Sequence, residues 1–147
     1  MKNYKGIFTA LLTPFDKNGK INDASLQKLI ERNISEGVSG FYVTGSTAEV
    51  FMLSPAERRH VMKLVKDCAG DCVTLICHIG AISTDESIAL AKDAEVLGYD
   101  AVSAVAPFYY KFSFDEIKAH YFKIAKSVSL PMVVYNFPGF TGVNLSM

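Results

Sequence analysis

The chain has 147 residues, half of them apolar and a fifth charged, the composition of a globular domain rather than of a disordered or fibrous chain. Basic and acidic residues both number 15, so neither net charge nor a long run of one sign supplies the basic face that sequence-independent nucleic-acid binding needs. No apolar run reaches the length of a membrane span, and 3 cysteines without framework spacing point to a reducing, cytoplasmic setting.

The chain opens on MKNYKGIFTALLTPF. Its apolar run is too short for a secretory leader and lacks a small-residue cleavage pattern, so GIFTALL from Gly6 reads as a first strand. INDASLQKLIERNISEG predicts a helix starting near Asn22 or Asp23, with Leu26, Leu29, Ile30 and Ile34 on one side and glycine closing it. GFYVTG from Gly40 is the second strand, and SPAE opens the next helix with Ser54 at the N-cap, Pro55 at N1 and Glu57 at N3. CVTLICHIG from Cys72 follows as a strand, and STDE offers a second capping box, Ser83 with Glu86. After VLGYD, AVSAVAP from Ala101 is the fourth strand, and SFDE offers Ser113 with Glu116. PMVVYNF from Pro131 is the fifth.

The strand starts recur about every thirty residues, the length of one βα unit. The runs are apolar almost throughout, as in parallel strands buried on both faces. An open doubly wound sheet and a closed (β/α)8 barrel both fit this α/β alternation. The first strand leads to LLTPFDKNGK, not to the glycine fingerprint of a dinucleotide site, and no phosphate-binding P-loop pattern occurs; both absences favour the barrel. The chain reads as about four βα units plus strand 5, the N-terminal part of such a barrel. The pattern reads as cut off, because a parallel strand at PMVVYNF expects a crossover helix after it.

In barrels, function collects at the C-terminal ends of the strands. Here those ends supply Thr13, then Ser46 and Thr47, His78, Tyr109 and Tyr110, and finally Tyr135 and Asn136. This set has no carboxylate pair and no converging metal ligands, so no metal site is expected. Cys77 and His78 are strand neighbours and point to opposite faces, which argues against a Cys–His pair. Ser46 and Thr47 read either as turn and cap chemistry or as donors to an anion. Tyr135 reads either as a proton carrier or as a core aromatic with a satisfied hydroxyl.

LLTPF, GSTAEVF, APFYYKFS and YNFPGFTGV, in this order and at this spacing, resemble the pyruvate-dependent class I aldolases, the family that includes N-acetylneuraminate lyase and dihydrodipicolinate synthase. The resemblance runs along the whole chain. It implies a (β/α)8 barrel in which a lysine forms a Schiff base with pyruvate, and the iminium serves as electron sink for making or breaking a carbon–carbon bond. Carried over by position, Ser46 and Thr47 hold the pyruvate carboxylate, Tyr135 shuttles the proton, and Tyr109 reaches across a subunit interface as a supporting tyrosine. The implied partner is a small keto acid, with no cofactor, and the implied assembly is a homo-oligomer, a tetramer in the family.

Within the family, the synthase type carries Thr-Thr where this chain has Ser46-Thr47, and an arginine where it has Phe140, which cannot pair with a second carboxylate. The resemblance therefore implies cleavage of N-acetylneuraminate to N-acetylmannosamine and pyruvate. Dihydrodipicolinate synthesis, or another keto-acid aldol reaction, is the alternative. A further alternative is an inactive half barrel that self-associates through its first and fifth strands, left as unpaired edges. Two departures stand out. Ala48 replaces the family's glycine and would strain the turn if that position needs positive φ. The Schiff-base lysine, borne on the sixth strand in the family, has no counterpart here; Lys111 is the only lysine near a strand's C-terminal end, and its lid-like position does not suit the role.

Overall fold

The computed structural model describes residues 4–145. Five strands, β1 (Phe8–Ala10), β2 (Gly40–Val43), β3 (Thr74–His78), β4 (Ala101–Val105) and β5 (Met132–Tyr135), form one sheet. Its spatial order is β1-β2-β3-β4-β5 and every neighbouring pair is parallel. Helices α1 (Asp23–Ser35), α2 (Pro55–Ala69), α3 (Thr84–Val96) and α4 (Phe114–Ala125) are the crossovers, and a short α5 (Pro138–Thr141) follows β5. Each strand pairs with the next in sequence, so the sheet is a run of consecutive βα units, the arrangement of a barrel wall. At its two ends lie β1 and β5, each paired on one side among the described residues.

Strand alternation divides the sheet's two faces. Phe41, Val43, Leu75, Cys77, Val102 and Ala104 join Leu26 and Ile30 of α1, Val61 and Val65 of α2, Leu90 of α3 and Ile124 of α4 in one buried core. The intervening Phe8, Tyr42 and Ile76 are only half-buried, and Val133 is exposed. These residues make the sheet apolar on both faces, which is why its strands read as continuous hydrophobic runs. The regular strands are shorter than those runs because the chain bends out of the ladder at their ends.

The helix boundaries follow local chemistry. Asn22 caps α1 through its side chain, which accepts from Ser25 N–H. Ser54 with Glu57 and Ser113 with Glu116 each form a complete capping box. Ser83 occupies the N-cap of α3, but its side chain makes no capping bond. Instead the buried Ser87 hydroxyl accepts from Ala81 N–H at 3.0 Å, fixing the loop before the helix. Gly37 and Gly98 follow α1 and α3 at φ +82° and +76°, left-handed positions that glycine adopts without Cβ strain. No helix among the described residues is long and apolar enough to cross a membrane.

Candidate active site

The strand ends converge on one side of the sheet. Directly after β2 the chain turns through Thr44 at φ +53° and enters a 3₁₀ turn, Ser46–Ala48. A left-handed conformation at a β-branched residue costs about 1–2 kcal/mol, so the surroundings must impose it. Glu49, at φ +56°, separates this turn from a second one, Val50–Met52. Ala48 is buried and is not among the positive-φ residues. Ala48 therefore meets no positive-φ strain; the left-handed residues are Thr44 and Glu49, either side of the Ser46–Ala48 turn.

Ser46 and Thr47 are exposed at the start of that turn. Among the described residues neither their hydroxyls nor their backbone N–H groups have a hydrogen-bond partner; the turn's own bonds run from Ala48 N–H to Gly45 O and from Glu49 N–H to Ser46 O. Two hydroxyls and two free N–H groups on consecutive residues form a concentrated donor set, suited to an oxyanion or carboxylate. Gly45 makes room beneath it: a Cβ there would lie 2.6 Å from the Tyr42 ring.

Ser46 lines a cavity of about 250 Å³ with Glu49, Val50, Phe51, Met52, Val105, Phe108, Phe137, Phe140 and Thr141. The walls are thus the turn after β2, the end of β4 and the segment after β5. Tyr135, the last residue of β5, is joined to this space through Phe137. Its ring stacks on Phe137, with centroids 5.4 Å apart, and meets Tyr42 edge-on at 5.9 Å. Tyr42 in turn donates to Ser103 Oγ at 2.9 Å. Burial raises the Tyr42 phenol well above its ordinary pKa, the Ser103 bond opposes this, and Tyr135 adds to it. Tyr42 therefore stays protonated, as a donor under Tyr135.

The remaining predicted residues divide. Tyr109 is 69% exposed, and its ring meets that of Tyr110 rather than that of Tyr135 within one chain. Lys111 is exposed, and no lysine lines the cavity beside Ser46. Thr13 is buried, its hydroxyl unpartnered among the described residues. Asn136 exchanges two hydrogen bonds with Leu145 and so anchors the segment after α5 rather than facing the cavity. Phe140 is 77% exposed at the cavity rim and offers no charge. Among the described residues no three His, Cys, Asp or Glu side chains converge as a metal site would need.

His78, at the end of β3, is wholly buried. Its Nδ1 lies 3.0 Å from the Thr44 carbonyl, and its Nε2 accepts from Val105 N–H at 3.3 Å. A carbonyl on one side and an N–H on the other assign the proton to Nδ1 in a neutral ring. Burial pushes the His78 pKa down from 6.5 to about 3, and the nearby Arg58 guanidinium lowers it further, against the Thr44 bond. Cys77 points into the helix-side core, where burial pushes its thiol up to about 12 and leaves it inert. Tyr42, Thr44, Ser103 and Arg58 had not been picked out in the sequence. The alternation of GFYVTG would have placed Tyr42 and Thr44 on the inner face, whereas nothing local signals Arg58.

Sequence and structure comparisons agree with this architecture. Residues 3–147 match the dihydrodipicolinate synthetase family, and the chain belongs to that family. It is 50% identical to the N-acetylneuraminate lyase of Citrobacter koseri over 147 residues, which cover 99% of this chain and 50% of that relative. It is similar to CdNal of Clostridium difficile, solved in complex with mannosamine, with a TM-score of 0.97 and 45% identity over 99% of this chain and 50% of the other. It is also similar to a dihydrodipicolinate synthase of Bacillus anthracis, with a TM-score of 0.94, 37% identity and the same coverage. The chain spans about half the length of the curated relatives it matches.

Proposed function

We propose that this chain supplies the carboxylate-binding and proton-shuttling part of a pyruvate-dependent Schiff-base lyase whose substrate is N-acetylneuraminate. The observation that carries the reading is the donor set of Ser46 and Thr47, without partners among the described residues, with Ser46 on the wall of the strand-end cavity and Tyr135 stacked on Phe137 of the same wall. In this reading the two residues hold the pyruvate carboxylate, so that the keto carbon is presented to a lysine amine. Tyr135 takes the proton from the substrate hydroxyl as the carbon–carbon bond breaks and the aldehyde leaves, and returns it to the carbon of the pyruvate enamine; Tyr42 holds its ring edge-on. Tyr109, exposed on the loop after β4, completes the relay of a second copy in a homo-oligomer, the tetramer of the family. No lysine among the described residues lines the cavity, and in this reading the nucleophile is a lysine carried by another part of the barrel.

The lyase is favoured over the synthase by Phe140, which leaves the rim without a cation for a second carboxylate. Curated relatives 49–50% identical to this chain carry the name N-acetylneuraminate lyase. In a full-length version, release of pyruvate from N-acetylneuraminate tests the reading directly, and turnover of a different keto acid in its place would overturn it. Ser46→Ala should raise KM with little change in kcat, by a factor of about five or more, as expected for losing a charge-assisted bond worth roughly 1 kcal/mol or more. An unchanged KM would remove Ser46 from carboxylate binding.

A further inference from the structure

Three buried groups outside the cradle meet behind it. Arg58 reaches from α2 to the end of β3, donating from Nη1 to Gly80 O and from Nη2 to His78 O, each at 3.1 Å. It is 3% exposed, makes no ion pair among the described residues, and its Nε–H is unpartnered there. A buried cation spent on two carbonyls is an expensive way to hold a strand end. The held carbonyl, His78 O, also accepts from Thr44 Oγ1 at 2.8 Å. The His78 ring returns to Thr44 O and, through Nε2, takes the N–H of Val105 on β4. Gly80 is required by this packing, since a Cβ there would lie 2.8 Å from His78 Nε2.

Thr44 is thus gripped at both its hydroxyl and its carbonyl, and it is the left-handed residue two positions before Ser46. Phe51, from the second 3₁₀ turn, sets its ring edge-on to His78 at 6.1 Å and to Phe108 at 4.7 Å. The same histidine therefore ties together the ends of β2, β3 and β4. We infer that His78 and Arg58 are positioning residues for the anion cradle: by holding Thr44 left-handed they fix the direction in which Ser46 and Thr47 present their donors. This rests on the carboxylate reading of Ser46 and Thr47.

The test uses NMR on the 147-residue chain, with sodium pyruvate as probe. In the unsubstituted chain the His78 ring should carry its proton on Nδ1 and stay neutral as pH falls to about 5, below the ordinary histidine range. A proton on Nε2, or a ring that charges near 6.5, overturns the proposal without any variant. His78→Leu should release Thr44 from the left-handed region, seen in its one-bond Hα–Cα coupling, shift the Ser46 and Thr47 amides, and weaken pyruvate binding by about tenfold or more. His78→Asn, whose amide nitrogen replaces Nδ1, should restore the Thr44 conformation; Arg58→Gln should loosen Thr44 to a lesser degree. A folded His78→Leu chain with Thr44 still left-handed and pyruvate affinity unchanged overturns the proposal. Should His78→Leu not fold, the ring tautomer and the Asn and Gln variants decide. Absence of any pyruvate response at Ser46 and Thr47 in the unsubstituted chain would sink the cradle reading instead, while the Thr44 coupling still judges the positioning role.

Discussion

Residue chemistry at the strand ends divides into donors, a phenol pair and a buried latch. Ser46 and Thr47 are donors without acceptors among the described residues, and in the proposed function a carboxylate completes them. Tyr135 lies between a stacked Phe137 and an edge-on Tyr42. In a full-length version, Tyr135→Phe should lower kcat by about a hundredfold or more, the range for removing a positioned proton carrier, while KM changes little. Steady-state kinetics decide this, and unchanged turnover would take Tyr135 out of the reaction. The donor pair was legible in GSTAEVF because two hydroxyls after a glycine are conspicuous. The left-handed turn that aims them was not. A β-branched threonine carries no sign of positive φ, and the groups that enforce it, His78 and Arg58, sit 34 and 14 residues away.

Among the elements, the helix starts were the most legible because their signals are local. SPAE and SFDE both fold as the capping boxes their spacing dictates. STDE has the same spacing, yet Ser83 makes no capping bond, because the approach to α3 is already held by Ser87. Ser54→Ala should therefore cost about 1 kcal/mol of stability, whereas Ser83→Ala should stay within a few tenths; urea denaturation of the two variants checks the contrast. Acid sensitivity belongs at this scale too. The folded His78 pKa of about 3 lies below the ordinary 6.5, so its contribution to stability is complete above pH 6.5. It is lost as pH falls from 6.5 toward 3, at about 1.4 kcal/mol per pH unit, because the unfolded chain takes a proton that the folded chain refuses. His120, also lowered by burial, adds in the same direction. Denaturation midpoints at pH 7 and pH 5 should fall accordingly in the unsubstituted chain and less steeply in His78→Asn; equal slopes would place the loss elsewhere.

For the whole molecule, composition and periodicity carried the reading far. Strands apolar on both faces, alternating with capped helices and lacking a nucleotide fingerprint, specify a barrel wall, and the sheet order follows that pattern, each strand pairing with the next in sequence. What no periodicity shows is which strand ends share a cavity. Ser46 and Phe137 line one space although 91 residues separate them, because consecutive parallel strands bring their C-terminal ends to one side. The same topology explains why the inner face, with Tyr42, Ile76 and Val133, is less buried than the helix-side core.

In the proposed function this chain offers the pyruvate carboxylate site, while no lysine among the described residues lines the cavity to capture pyruvate. Incubation with pyruvate and borohydride, followed by mass spectrometry of the intact chain, tests it most directly. No reduced pyruvyl adduct should form on the 147-residue chain, and in a full-length version one adduct should form on a lysine outside it. A stable adduct on a lysine of this chain, Lys111 included, would contradict the account.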